Sequence, residues 1–125
     1  MFDHLSVGVR DLDAARRFYA AFFSPLGHGE AAASDSELAF GPGGLVRQFF
    51  VYPVSGERVA GLGSHIAFSA PGRAAVHEAF DAAVALGATV VRPAGAHPDI
   101  ASDYYGAVLL DPDGNKLEIV AGTMH

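Results

Sequence analysis

Leu5, Val7 and Val9 alternate with Ser6, Gly8 and Arg10, a period of two that predicts a half-buried strand. Leu12, Ala15, Phe18, Tyr19 and Phe22 then recur at helical spacing through Phe23, with Asp11 or Asp13 available to cap the helix. Ser24-Pro25-Leu26-Gly27 stops it. A polar, Ala-rich stretch leads to a short strand at 37–40, the turn Gly41-Pro42-Gly43-Gly44, and a strand over 45–52 before Pro53. After Gly61 the same order returns. Residues 65–69 predict a strand, and Pro71 opens a helix to Leu86 with Val76, Phe80 and Val84 on one stripe. Gly87 ends that helix. A strand at 88–91, a Pro/Gly/His loop over 92–98, and a hairpin of 105–110 and 117–120 around Asp111-Pro112-Asp113-Gly114-Asn115 complete the chain.

The two halves are offset by about sixty residues, so the chain reads as one strand–helix–hairpin unit written twice. One such unit would have difficulty hiding its sheet; two can complete a shared core. The expected class is α+β, with βαβββ modules over 1–58 and 61–125 forming one curved sheet in a single domain, 1–125. A chain of 125 residues with 50% apolar and 18% charged residues supports such a core and argues against disorder. Folding should leave roughly 6,300 Å² of roughly 19,000 Å² accessible. Eight Lys and Arg against fourteen Asp and Glu give a net charge of −6 without a basic run. A nucleic-acid or anionic-membrane partner is therefore not expected. The absence of Cys removes disulfides, thiolate nucleophiles and Cys-based metal sites. Neither a basic leader nor an 18-residue apolar run is visible, so a soluble, cytoplasmic protein is expected.

His4 and His65 open corresponding strands of the two halves. His4 shares a face with Ser6 and Gly8, the small-residue face that would line a cavity. Glu118 interrupts the apolar run Leu117, Ile119 and Val120, where a carboxylate must meet water, a cation or a cavity. Two imidazoles and a carboxylate can hold Zn²⁺, Fe²⁺, Ni²⁺ or Mn²⁺ with positions left open. Ordinary hydrogen-bonded histidines and an outward Glu on an edge strand are the plainer alternatives. Aligning the hairpins on Pro-x-Gly puts Gln48 where Glu118 sits, as a fourth ligand or a substrate contact. Glu57 is the rival by raw spacing, but it lies beyond Pro53 and Gly56. Tyr104 and Tyr105 are candidates for binding substrate; alternation sends them to opposite faces, and parity favours Tyr104 for the cavity. His77 reads as a solvated helix-edge residue, and His28, His97 and His125 as loop or terminal residues without assigned chemistry.

The stretches DHLSVGVRDLDAARRFY, GSHIAF and YYGAVLLDPDGNKLEIV resemble the glyoxalase/bleomycin-resistance/extradiol-dioxygenase superfamily, also called the vicinal oxygen chelate superfamily. The resemblance implies paired βαβββ modules cupped around a metal or ligand, commonly in homodimers, with His4, His65 and Glu118 at the recurring metal positions. Glyoxalase I enzymes of this group place a carboxylate where Gln48 stands, and methylmalonyl-CoA epimerases a Gln. Ring-cleaving dioxygenases place a Tyr where Val108 stands. The leading expectation is a divalent-metal lyase or isomerase of the glyoxalase type that polarises a carbonyl of a small oxygenated substrate. A non-catalytic small-molecule binding or sequestration protein is the alternative from another class, and an Fe(II) ring-cleaving dioxygenase a third reading. Whether His4 and His65 meet within one chain or between two is left open.

Overall fold

Alternation in the first strand and a helical stripe behind it build one side of the core. A computed structural model describes residues 1–122; His125 lies outside the described residues. The strand β1 (Leu5–Val9) turns its Leu and Val residues toward α1 (Leu12–Phe23). Asp11 caps that helix, its carboxylate accepting from the Ala14 N–H at 3.0 Å. Phe18, Tyr19, Phe22 and Phe23 form the buried stripe, none more than 2% exposed. A 3-10 turn (Ser24–Leu26) ends at Gly27, whose φ of 84° is the left-handed conformation a β-carbon disfavours. From there β2 (His28–Ala33), β3 (Leu38–Pro42) and β4 (Phe49–Pro53) run as an antiparallel set, and β4 closes against β1 in parallel. The second half repeats this: β5 (His65–Ala70), α2 (Arg73–Ala85), β6 (Thr89–Ala96), β7 (Tyr105–Leu110) and β8 (Lys116–Ala121), with β5 and β8 parallel.

The two βαβββ-like modules are present, but the expected cup is not. The strands form two separate four-stranded mixed sheets, β1-β4-β3-β2 and β5-β8-β7-β6, which neither join nor curl closed. β1 and β5 are each edge strands of their own sheet and exchange no ladder hydrogen bonds. The modules are joined instead by side chains: α1 packs on α2, and Phe68 of β5 inserts edge-on against Phe22, Phe23 and Phe49 at centroid distances of 5.6, 5.0 and 5.6 Å. Each such ring contributes about 1.5–3 kcal/mol by burial, plus about 0.5–1.5 kcal/mol from the edge-to-face geometry.

A polar latch adds to this. Asp111, 2% exposed, opens the turn between β7 and β8. Its carboxylate accepts from the backbone N–H of Asp113 and Asn115 at 2.9 and 2.8 Å, from the Asn115 amide at 2.9 Å, and from the Tyr19 hydroxyl at 2.6 Å. The same Asn115 amide donates to the Gly8 carbonyl at 2.8 Å, and Asp113 accepts from the Arg10 N–H at 3.0 Å. The turn thus fastens the second module to β1 and α1 of the first.

Several local expectations shift. β2 forms although its sequence, HGEAAA, carries no apolar alternation; it is recruited by pairing with β3. β4 starts at Phe49 rather than Leu45, because the preceding loop folds back so that the Val46 carbonyl takes the space a β-carbon on Gly41 would need. That leaves Leu45 87% exposed. β6 continues through Pro93 to Ala96 with bulges on either side of Arg92. In α2 the buried stripe is Ala75, Val76, Ala79 and Ala83; Phe80 is half-buried and Val84, one residue past the stripe, is 41% exposed.

Candidate functional site

On the second module's sheet, parallel register pairs Ala67 with Glu118 and His65 with Lys116, so His65 and Glu118 project from one face. The His65 Nε2 lies 3.5 Å from the Glu118 Oε1. That is long for a hydrogen bond. Two donors each about 2.1 Å from a tetrahedral ion stand roughly 3.4 Å apart, so this spacing suits a shared cation. Glu118 is 9% exposed. Its other oxygen is taken, since the Tyr104 hydroxyl donates to Oε2 at 2.9 Å. Tyr104 itself is 3% exposed. Burial first, then the Glu118 carboxylate, hold its phenol pKa above the ordinary value, so it remains a donor at neutral pH. Tyr104 can lie there because residue 106 is Gly: a β-carbon would collide with the Ile119 carbonyl and with the Tyr104 ring. Val108 pairs directly with Glu118 and forms an apolar wall. Arg92 pairs with Val108, which puts a guanidinium on this face; it is tied to Asp99 at 2.8 Å. Reading 92–98 as loop concealed Arg92, and only the alternation of β6 past Pro93 would have revealed it.

The first module carries the other two predicted ligands. The Gln48 carbonyl accepts from the Leu5 N–H at 2.9 Å, which holds residue 48 beside the start of β1. His4 and Gln48 line one cavity. The His4 Nδ1 is 2.7 Å from an Asp3 carboxylate oxygen, and its ring meets Phe50 edge-on at 5.4 Å. With Nδ1–H donating to Asp3, the lone pair of Nε2 is left for a cation. Glu57, the rival of Gln48, lies on the exposed segment after β4, where its backbone carbonyl accepts from the Arg10 guanidinium at 3.4 Å.

Within one chain, then, His65 meets Glu118 and His4 neighbours Gln48, as two half-sets. Among the described residues no three His, Asp or Glu side chains cluster closely enough to hold a metal ion. Each half-set has the nitrogen and oxygen donors that Zn²⁺, Ni²⁺, Fe²⁺ and Mn²⁺ accept, and each lacks the number of donors such an ion requires. Tyr105 faces away from Glu118: its hydroxyl pairs with His77 Nε2 and its ring stacks under the Arg73 guanidinium at 4.5 Å. His77 is therefore an engaged residue on α2 rather than a free helix-edge group. The His97 Nε2–H donates to the Pro93 carbonyl at 2.7 Å.

The chain is thus a βαβββ-like unit written twice, with His4 and His65 beside the first strand of each half. Over residues 1–119 the chain matches the model of the Glyoxalase/Bleomycin resistance protein/Dioxygenase superfamily, and it belongs to that family. It is similar to a glyoxalase/bleomycin resistance protein from Albidiferax ferrireducens T118, with 30% identity and a TM-score of 0.84 over 98% of this chain and 99% of that one. A glyoxalase-related enzyme from Fulvimarina pelagi gives 21% identity and a TM-score of 0.74 over 98% and 88% of the two chains. The fosfomycin resistance protein FosX from Mesorhizobium loti gives 21% and 0.72 over 99% and 93%. The last two likenesses speak for the fold alone. No curated protein matches the chain. No helix among the described residues is long and apolar enough to cross a membrane.

Proposed function

We propose that this chain is a divalent-metal lyase or isomerase acting on a small oxygenated substrate, with the ion held between two copies: His65 and Glu118 of one, His4 and Gln48 of the other. The observation that carries the reading is the 3.5 Å gap between the His65 Nε2 and the Glu118 Oε1, with Glu118's second oxygen already committed to Tyr104. Such a pair is half of a four-donor shell, and His4 with Gln48 is a second half on the same chain. A bound divalent ion would supply Lewis-acid polarisation of substrate oxygens. The chain's own residues do the rest: Tyr104 fixes which Glu118 oxygen is free, Asp3 fixes which His4 nitrogen is free, and Arg92 offers a cation on the same face as Glu118.

A second copy also suits the surface. The folded chain exposes 6906 Å², about a tenth above the roughly 6,300 Å² expected of a monomer this size. Near His4, Phe2 is 68% and Tyr52 37% exposed, and Tyr52 stacks on Phe50 at 6.2 Å. Sedimentation equilibrium at micromolar concentration should return about twice the 13.0 kDa chain mass; a persistent monomer contradicts the shared site. Substituting Tyr104→Phe should weaken metal binding by about tenfold while leaving the fold intact, the usual loss when a ligand loses its supporting hydrogen bond. An unchanged metal affinity in that variant would deny Tyr104 this role.

The activity itself is tested by screening carbonyl substrates and substrate proton exchange with Zn²⁺, Ni²⁺, Fe²⁺ and Mn²⁺ in turn. Metal-dependent turnover, lost on chelation, supports the enzyme reading. Ligand binding that survives chelation with no turnover would make the chain a binding protein. With Val108 rather than Tyr beside Glu118, the proposal does not extend to ring cleavage.

A further inference from the structure

Arg92 is set apart in its strand pairing. The β6–β7 ladder slips between Val90 and Arg92 and again between Arg92 and Gly95, so a bulge on either side aims this one residue. Across the sheet it forms one row: Arg92 opposite Val108, Val108 opposite Glu118, and Glu118 opposite Ala67. Directly paired residues share a face, so Arg92 and Glu118 rise from the same surface with Val108 between them. Two strand spacings put their backbones roughly 9.5 Å apart. Val108 is 6% exposed, and the strip separating the cation from the carboxylate is apolar.

Asp99 holds the guanidinium end-on, its oxygens accepting from Nη2 at 2.8 Å and from Nη1 at 3.2 Å. The loop that carries Asp99 is itself fixed. In it the His97 Nε2–H donates to the Pro93 carbonyl at 2.7 Å, and the Tyr104 N–H to the Ala101 carbonyl at 3.1 Å. Asp99 uses two of the five N–H donors of the fork. Among the described residues no other protein group takes a hydrogen bond from this guanidinium, and the Arg92 side chain is 38% exposed. Its pKa is raised above the ordinary value, chiefly by the bond to Asp99 and more weakly by the charge of Glu118, so the cation is within electrostatic reach of the site. A pre-aimed guanidinium with a free edge matches a carboxylate. A dianionic phosphate is the poorer match, because Asp99, Glu118 and the net charge of −6 all repel its second charge.

We propose that Arg92 binds a carboxylate of the substrate, and that this carboxylate lies across Val108 from the oxygens that meet the ion at His65 and Glu118. The substrate class is then a small oxo or hydroxy acid whose acid group is a few carbons from its chelating oxygens. The placement relative to the ion rests on the shared metal site; the carboxylate contact does not.

Two probes with matching chelating ends test this on the Zn²⁺-loaded full chain. α-Ketoglutarate and α-ketovalerate chelate through the same oxygens, and only the first carries a distal carboxylate. Calorimetry should find α-ketoglutarate tighter by about tenfold or more, the gain expected of one charge-assisted hydrogen bond. Arg92→Met should bring α-ketoglutarate down to the affinity of α-ketovalerate, with the latter held within about twofold and Zn²⁺ affinity unchanged. Arg92→Lys should recover part of the difference, since it keeps the charge and loses the fork. The Arg92 Nε–H resonance should shift on saturation with α-ketoglutarate and stay in place with α-ketovalerate. Equal affinities for the two probes overturn the proposal, and so does a preference that survives Arg92→Met. A phosphonate in place of the distal carboxylate, bound more tightly, overturns the choice of acid. If Arg92→Met does not fold, the resonance in the unsubstituted chain decides: no shift with α-ketoglutarate overturns it. If Zn²⁺ does not bind, the metal reading fails by itself, and glutarate added to the metal-free chain should still move the Arg92 resonance. No movement there removes the carboxylate contact as well.

Discussion

His65→Ala and Glu118→Gln will each lower divalent-metal affinity by more than about 100-fold. The figure exceeds the 10–100-fold typical of losing a supporting contact, because each change removes a donor outright. Glu118→Gln keeps the size and one oxygen but deletes the charge that offsets a divalent ion inside a face where the carboxylate is only 9% exposed. It also leaves the Tyr104 hydroxyl facing an amide rather than a carboxylate. His77→Ala is the control, since His77 pairs with Tyr105 on the opposite side of the sheet and its loss should leave metal affinity unchanged. Gln48→Ala should fall between them if its amide oxygen ligates, and should affect substrate alone if it lines the pocket. Competitive titration against a chromophoric chelator measures all four. Unchanged affinity in both His65→Ala and Glu118→Gln would remove the proposed ligands.

The second large effect is on stability. Asp111→Ala should cost about 3–5 kcal/mol, as when one partner of a buried polar network is removed. The substitution strands the Tyr19 hydroxyl, in a residue 0% exposed, and frees the two N–H groups that set the turn holding Asn115 against Gly8. Tyr19→Phe should cost less, about 1–2 kcal/mol, because Asp111 keeps its three donors within the turn. Urea denaturation of both and of the double variant gives the coupling; a loss below about 1 kcal/mol for Asp111→Ala would mean that the latch does not join the modules. The pair has a pH signature as well. Burial, and then the charge of Asp111, raise the Tyr19 pKa well above its ordinary value. A group with a raised folded-state pKa contributes stability that is intact below its unfolded value, about pH 10, and is lost as pH climbs through the folded value. Tyr19→Phe should flatten that alkaline decline.

How far the chain could be read beforehand follows from where its information lies. Period-two runs and the aromatic stripe of α1 are local signals, so β1, α1, β5, β7 and β8 and the repeat were legible. β2 was not, since an Ala-rich segment becomes a strand only through its partner β3. The continuous cup failed for a related reason. Whether β1 and β5 join edges depends on long-range packing of Phe68 against Phe22, Phe23 and Phe49, which no periodicity encodes. At the site, alternation was legible as far as it goes: Tyr104 turns to Glu118 and its neighbour Tyr105 to His77 on the other side of the sheet. The role of Tyr104 as Glu118's partner was hidden, because it depends on Gly106 making room across the strand. His28 reads as a loop residue because β2, the strand it opens, carries no apolar alternation.

The most direct test of a site shared between copies is complementation. Two inactive double variants, His4→Ala/Gln48→Ala and His65→Ala/Glu118→Ala, are purified metal-free, mixed, unfolded and refolded together, and titrated with Zn²⁺. Neither variant alone retains a full set of donors. In a mixed dimer, one interface pairs the intact His4 and Gln48 of the second variant with the intact His65 and Glu118 of the first. The account predicts that tight Zn²⁺ binding returns only in the mixture, at one ion per mixed dimer. A site built within single chains would leave the mixture as empty as its components, and that result would contradict the shared site.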